Sequence, residues 1–142
     1  MPRAMGLDVG TLTIGVAISD ELGLAAHRVC TVSRKGVRAD CEVLAKLITE
    51  RQVDRLVVGM PYELDGTEER SAKLARQVGE ALSVRTGLKV NYVDERFTSV
   101  DAERRLIAQG MSRAKRKEVI DQEAAAIILQ GWLDHGVSVE EA

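Results

Sequence analysis

The stretch "MGLDVGTLTIGVAISD", Met5 to Asp20, decides how the rest of the chain is read. Two apolar runs, 4–9 and 13–19, flank Gly10-Thr11-Leu12, a pattern that predicts two strands joined by a short hairpin connection. One carboxylate, Asp8, interrupts the first run between Leu7 and Val9. Asp is disfavoured in strands, and apolar neighbours suggest burial, where an unpaired carboxylate is costly. A bland reading makes Asp8 a solvent-facing residue or one bonded to the backbone near Gly10. The pattern favours a functional one.

Outward from the hairpin, a third strand is expected within 24–33, in "LAAHRVCTVSR". Cys41, Leu44, Leu47 and Ile48 then share one face of a helix over 38–51. "DRLVVGM" (54–60) is a continuous apolar run, as in a central strand covered on both sides. After the polar turn "PYELDGTEER", Thr67 is placed to cap a helix that buries Ala72, Ala75, Val78 and Leu82 and stops at Gly87. "LKVNYVDER" gives a fifth strand, ending in Asp94 and Glu95. Thr98-x-x-Asp101 is an acidic variant of the capping box and starts a helix to about Gln109. The basic segment "GMSRAKRKE" reads as a loop, followed by a last helix from about Val119 to His135, with Gly136 as its stop and a frayed acidic tail. Hairpin strands followed by strand–helix alternation predict an α/β fold. Its mixed five-stranded sheet has three antiparallel hairpin strands, then two parallel strands, with helices on both faces.

The 142 residues fit one domain, 1–142, with a core that needs no disulfide or structural metal. Twenty Lys+Arg against twenty-two Asp+Glu leave a net charge of −2, so any polyanion partner must be met by local segregation of charge. Cys30 and Cys41 form no CxxC and read as reduced thiols. The start "MPRAMG" does not have the form of a signal peptide, and no run approaches the ~20 apolar residues of a membrane span. A cytosolic protein without a membrane partner is expected.

Three acids could carry chemistry. Asp8 is the first. Glu95 is the second, at the carboxyl end of the fifth strand, where ligands of open α/β sheets gather; Asp94 points the opposite way by alternation. The third, Asp121, has Ala124, Ala125, Ile128 and Trp132 on or near its helical face. Solvated strand ends or a helix-dipole role would be the ordinary explanations. If the three meet, two charges at about 4 Å repel by about 4 kcal/mol at an effective dielectric near 20. A shared proton or a cation must answer that. Carboxylates without imidazole or thiolate are hard oxygen ligands, which points to Mg²⁺ or Mn²⁺. Two such ions suit phosphoryl-ester hydrolysis, which needs no Ser, Cys or His nucleophile. Arg113, Lys115, Arg116 and Lys117 put four cations in five residues just before Asp121. Such a run is usually a solvated loop; beside acids it would supply phosphate contacts.

With these residues assembled, the chain resembles the bacterial YqgF (RuvX) proteins, pre-16S rRNA nucleases also described as Holliday-junction resolvases. The resemblance is carried by "GLDVGTLTIGVAISD", "VVGMPYELDGTEE", "VDERFTS" and "IDQEAAAIILQGWLD", in order over about 6–134. It implies an RNase H-like fold and a divalent-metal nuclease of ribosome biogenesis, acting on pre-rRNA or a pre-ribosomal particle. By motif, its three acids fall on Asp8, Glu95 and Asp121. Gly59, Pro61, Asp65, Gly66 and Thr67 of the "GMP…LDGT" loop, and Arg96, match positions expected around the substrate. A fourth metal residue of the related resolvases would fall on Glu118, where members of this family need no acid.

Three rival readings remain open on the sequence. "DVGT" also opens the phosphate hairpin of sugar kinases, actin and Hsp70-type ATPases, but those need a second lobe and a second phosphate loop. A non-catalytic nucleic-acid-binding protein would not need an intact acid triad. A junction resolvase would need a symmetric dimer. The sequence shows no coiled-coil seam or other dimer signature, which favours RNA processing and leaves monomer or homodimer open.

Overall fold

The computed structural model describes residues 3–61, 70–95, 98–135 and 140–141. Strand β1 (Arg3–Val9) and strand β2 (Thr13–Ser19) pair antiparallel, with Leu7 opposite Val16 and Asp8 opposite Gly15. The connection is closed by the Gly10 N–H, which donates to the Thr13 carbonyl at 2.8 Å. Strand β3 (Ala26–Ser33) continues the antiparallel run on β2. Its start is fixed by Asp20, whose carboxylate accepts the N–H groups of Leu24 and Ala25 and is held below the usual range by such backbone donors.

Helix α1 (Val37–Glu50) crosses to strand β4 (Val53–Met60), which lies parallel to β1. Helix α2 (Arg70–Thr86) then leads to strand β5 (Val90–Asp94), parallel to β4. As expected, α2 buries Ala72, Ala75, Val78 and Leu82, and Gly87 ends it with φ 74°. The cap expected at Thr67 lies outside the described residues. Helix α3 (Thr98–Ala108) and helix α4 (Arg113–His135) follow. The sheet order is β3-β2-β1-β4-β5-β6, where β6 is the two-residue strand Glu140–Glu141 paired antiparallel to β5. The five expected strands are thus present, and part of the tail read as frayed extends the sheet by a sixth.

The two faces of this sheet are built differently. Met5, Leu7, Ile14, Val16, Leu56 and Val58 point to one side, where Leu44 of α1 and Leu82 of α2 cover them. Each large side chain fully buried there contributes roughly 1.5–3 kcal/mol. The opposite face carries Ala4, Gly6, Gly15, Ala17 and Gly59, and α4 lies on it through Ala125, Ala126, Ile128 and Leu129. Small residues let that helix approach closely: a Cβ added at Gly6 would lie 2.7 Å from the Leu129 Cβ. One face supplies apolar bulk; the other supplies proximity. Among the described residues no helix is long and apolar enough to cross a membrane.

Helix α4 begins six residues before the expected Val119. Ser112 caps it: its hydroxyl accepts the Lys115 N–H at 3.2 Å, and its carbonyl accepts the Arg116 N–H at 2.9 Å. The segment read as a basic loop is therefore the first turn of a helix. Its four cations oppose the helix dipole, which normally favours acids at that end.

Candidate active site

Asp8 lies near the carboxyl end of β1, on the face covered by α4, because alternation sends Leu7 and Val9 to the other core. Its partner in the hairpin ladder is Gly15. A Cβ there would overlap the carbonyl oxygen of Asp121, so the missing side chain is what seats Asp121 over β2 beside Asp8. The hydroxyl of Thr13, the first residue of β2, donates to Asp121 Oδ2 at 2.5 Å. Asp121 is thus fixed at its backbone by close contact and at its carboxylate by a hydrogen bond.

Glu95 follows β5 directly, and its N–H donates to the Met60 carbonyl at 3.1 Å, carrying the ladder one step past the strand. Its side chain is buried, at 9% exposure, whereas Asp94 is exposed, as alternation predicts. Gly59 opens the lane it occupies: an added Cβ would meet Ile128 Cδ1 at 2.5 Å and Glu95 Cγ at 3.0 Å. Another strut holds the hairpin turn. Arg34 donates to the Gly10 carbonyl at 3.2 Å while its guanidinium pairs with buried Asp40 at 3.1 Å.

The acids act on one another. Burial, and then the Asp121 charge, push Asp8 up to about 7. Burial, then Asp8 and then Asp94, push Glu95 up to about 8. Among the described residues neither Asp8 nor Glu95 has an ion-pair partner, and no three His, Cys, Asp or Glu side chains are gathered closely enough to hold a metal ion as they stand. Asp8 thus lies between the other two, feeling the charge of Asp121 and exerting its own on Glu95. All three offer hard carboxylate oxygens, and those of Asp8 and Glu95 have no described ion-pair partner, a chemistry that fits a divalent oxygen-seeking ion.

Two expectations follow from this geometry. Because folding raises both acids, the folded chain keeps protons that the unfolded chain releases near the ordinary values of 3.8 and 4.5. The resulting stability is present below those values and is lost as pH rises through about 7 to 8. In buffer free of divalent ions, Asp8→Asn/Glu95→Gln should abolish that decline, worth on the order of a few kcal/mol. Melting curves of the two proteins that fall in parallel would contradict it. For the Thr13 strut, Thr13→Val should cost about 1–2 kcal/mol and Thr13→Ser much less, since the acceptor is charged. Equal losses would assign the effect to the methyl group instead.

The other residues singled out in the sequence separate. Gly59 lies near the end of β4 against Glu95 and Pro61 directly follows that strand, while Asp65, Gly66, Thr67 and Arg96 lie outside the described residues. Arg113, Lys115, Arg116 and Lys117 line the first turns of α4. Arg116 is engaged, donating to Glu103 at 3.1 Å and to the Met111 carbonyl at 2.9 Å. Lys115 pairs with Glu118 at 3.5 Å, and Glu118, 68% exposed, faces solvent rather than the acids. Glu123 is buried at 6% exposure between Arg28 and Arg105, each at 3.5 Å. Sequence reasoning missed Thr13 and Ser112, although a hydroxyl just before a helical segment is a visible cap signal.

The sequence matches the family model described as "RuvX: Holliday junction resolvase" over residues 2–135. A "Putative pre-16S rRNA nuclease" of Myxococcus xanthus is 48% identical over 93% of this chain and 87% of its own length. A protein of the same name from Clostridioides difficile is 46% identical over 96% of each chain. In three dimensions the chain is similar to Thermus thermophilus RuvC in complex with a Holliday junction substrate, with TM-score 0.60 and 15% identity over 97% of this chain and 98% of that one. Fowlpox virus resolvase is similar over 96% of this chain and 99% of that one, at TM-score 0.55 and 11% identity, a likeness of fold. The chain belongs to the RuvX family of RNase H-like nucleases, hydrolases of phosphodiester bonds.

Proposed function

We propose that this chain is a divalent-metal-dependent nuclease of 5′-end maturation of pre-16S rRNA, working as one domain over 1–142. Asp8, Glu95 and Asp121 are the ligands and catalytic acids. The observation that carries the reading is a chain of buried acids, Asp8 pushed up by burial and Asp121, and Glu95 by burial and Asp8, with no described cation paired to Asp8 or Glu95. Mg²⁺ or Mn²⁺, as two ions, would supply a nucleophilic hydroxide and stabilise the leaving oxygen. The chain's own part is to hold the carboxylates: Thr13 fixes one oxygen of Asp121, and the lane at Gly59 orients Glu95. Arg113, Lys115, Arg116 and Lys117, with Arg96, would contact substrate phosphates, and the loop through Gly59, Pro61, Asp65, Gly66 and Thr67 would border the strand. Glu118 has no role in this scheme.

The names of the relatives support pre-rRNA as substrate. The family description supports a second reading, junction resolution, which requires a symmetric dimer to make paired cuts. Matched single-stranded RNA, a pre-rRNA fragment spanning the 5′ end and a four-way DNA junction separate the two. Cleavage of the pre-rRNA fragment with either ion is the expected result. Preferential cutting of the junction would replace the first reading with the second.

A further inference from the structure

Between α3 and the first turns of α4 lies a cavity of about 630 Å³, lined by Glu103, Arg113, Ala114, Arg116, Lys117 and Ile120. Its volume falls in the range of small-ligand sites. Its chemistry is mixed in a telling way. Arg116 is clamped to Glu103 and to the Met111 carbonyl, so its planar guanidinium is a fixed wall. Among the described residues Arg113 and Lys117 have no ion-pair partner, and Ala114 and Ile120 make the surface between them apolar. Arg113, Lys117 and Asp121 are four residues apart in turn, so they follow one stripe of α4. At about 1.5 Å per residue, Lys117 stands about 6 Å and Arg113 about 12 Å from Asp121 along the helix axis.

We propose that this cavity is a subsite for one unpaired nucleotide of a single-stranded nucleic acid, its flanking phosphates resting on Arg113 and Lys117. The proposal deepens the nuclease reading and rests on it for the direction in which the strand leads, along the stripe to Asp121. A duplex offers a protein surface chiefly its phosphates and keeps its base faces in the stack. An apolar concavity between two helices therefore gives it little. An unpaired strand exposes base faces, which stack on guanidinium planes and apolar side chains while cations follow the backbone. The positive end of α4 adds to the attraction for phosphate.

The test measures binding of the full chain in EDTA, where metal-dependent cleavage is suppressed. The probes are a fluorescein-labelled oligouridylate, its DNA counterpart and a labelled RNA duplex of equal length. Ala114→Leu fills the cavity from an exposed helical position without changing charge, and Ala114→Ser leaves it open. Ala114→Leu should weaken the single strands about tenfold, the equivalent of about 1.4 kcal/mol, and the duplex less than about twofold. Ala114→Ser should bind like the unaltered chain. Equal weakening of strands and duplex, no weakening of the strands, or no binding of either by the unaltered chain would overturn the subsite. Selective weakening by a chain that cuts nothing when Mg²⁺ or Mn²⁺ is restored would keep the subsite and remove the nuclease reading.

Discussion

Asp8→Asn, Glu95→Gln and Asp121→Asn are each expected to lower Mg²⁺- or Mn²⁺-dependent cleavage by at least about a thousandfold, about 4 kcal/mol in the barrier. In the proposed site each removes one charged oxygen ligand from a set of three, and charge at the reacting phosphate is where a preorganised site does most for the rate. The changes at Asp8 and Glu95 should not weaken the fold. Asp8 and Glu95 are pushed up by burial and by neighbouring acids, so neutral isosteres relieve repulsion. The signature is therefore a split: activity lost, with melting temperature at pH 8 unchanged or raised. A merely structural acid would show both falling together. Undiminished cleavage by a highly purified triple variant would remove these residues from the chemistry.

Gly15→Ala carries the largest expected effect on the fold. The new Cβ would overlap the Asp121 carbonyl group and come within 2.9 Å of the Gln122 nitrogen, all backbone atoms. No rotamer change relieves such a contact, so α4 must lift from β2. Overpacking of this kind costs about 1–3 kcal/mol, and the upper end applies where backbone must move. A melting temperature lower by roughly 5–15 °C is expected for a chain of this size. Cleavage should fall about a hundredfold as well, because displacement of about 1 Å has that effect on a reacting geometry. Gly131→Ala, in the same helix but with open space at its Cβ, should instead stabilise by about 0.5–1 kcal/mol. If both glycines respond alike, close approach at Gly15 is not what seats Asp121.

The first two strands and β4 were legible because their apolar patterns are local. The three acids were legible because each breaks such a pattern: Asp8 within a strand, Glu95 at a strand end, Asp121 on an apolar helical face. The start of α4 was not legible, since four cations at a helix N-terminus run against the dipole rule and the N3 position holds Lys115 rather than an acid. Tertiary contacts there, among them Arg116 with Glu103 of α3, outweigh that local preference. Glu123, two residues past Asp121, is buried at 6% exposure. Its burial comes from Arg28 on β3 and Arg105 on α3, which no pattern within α4 reveals. Glu140 and Glu141 carry no strand propensity, and their pairing with β5 is set by the neighbouring edge.

The bond from Thr13 to Asp121 spans 108 positions of sequence. Chains emerge from synthesis N-terminus first, at about 5–20 residues per second, and contacts of such long range close late. The hairpin that presents Asp8 can form early, but its third acid does not exist until α4 has been made and laid across β2. A growing chain therefore passes most of its synthesis as a catalytically incomplete sheet. With Asp121 in its proposed role, assembly order itself would keep the nuclease silent until helix α4 docks.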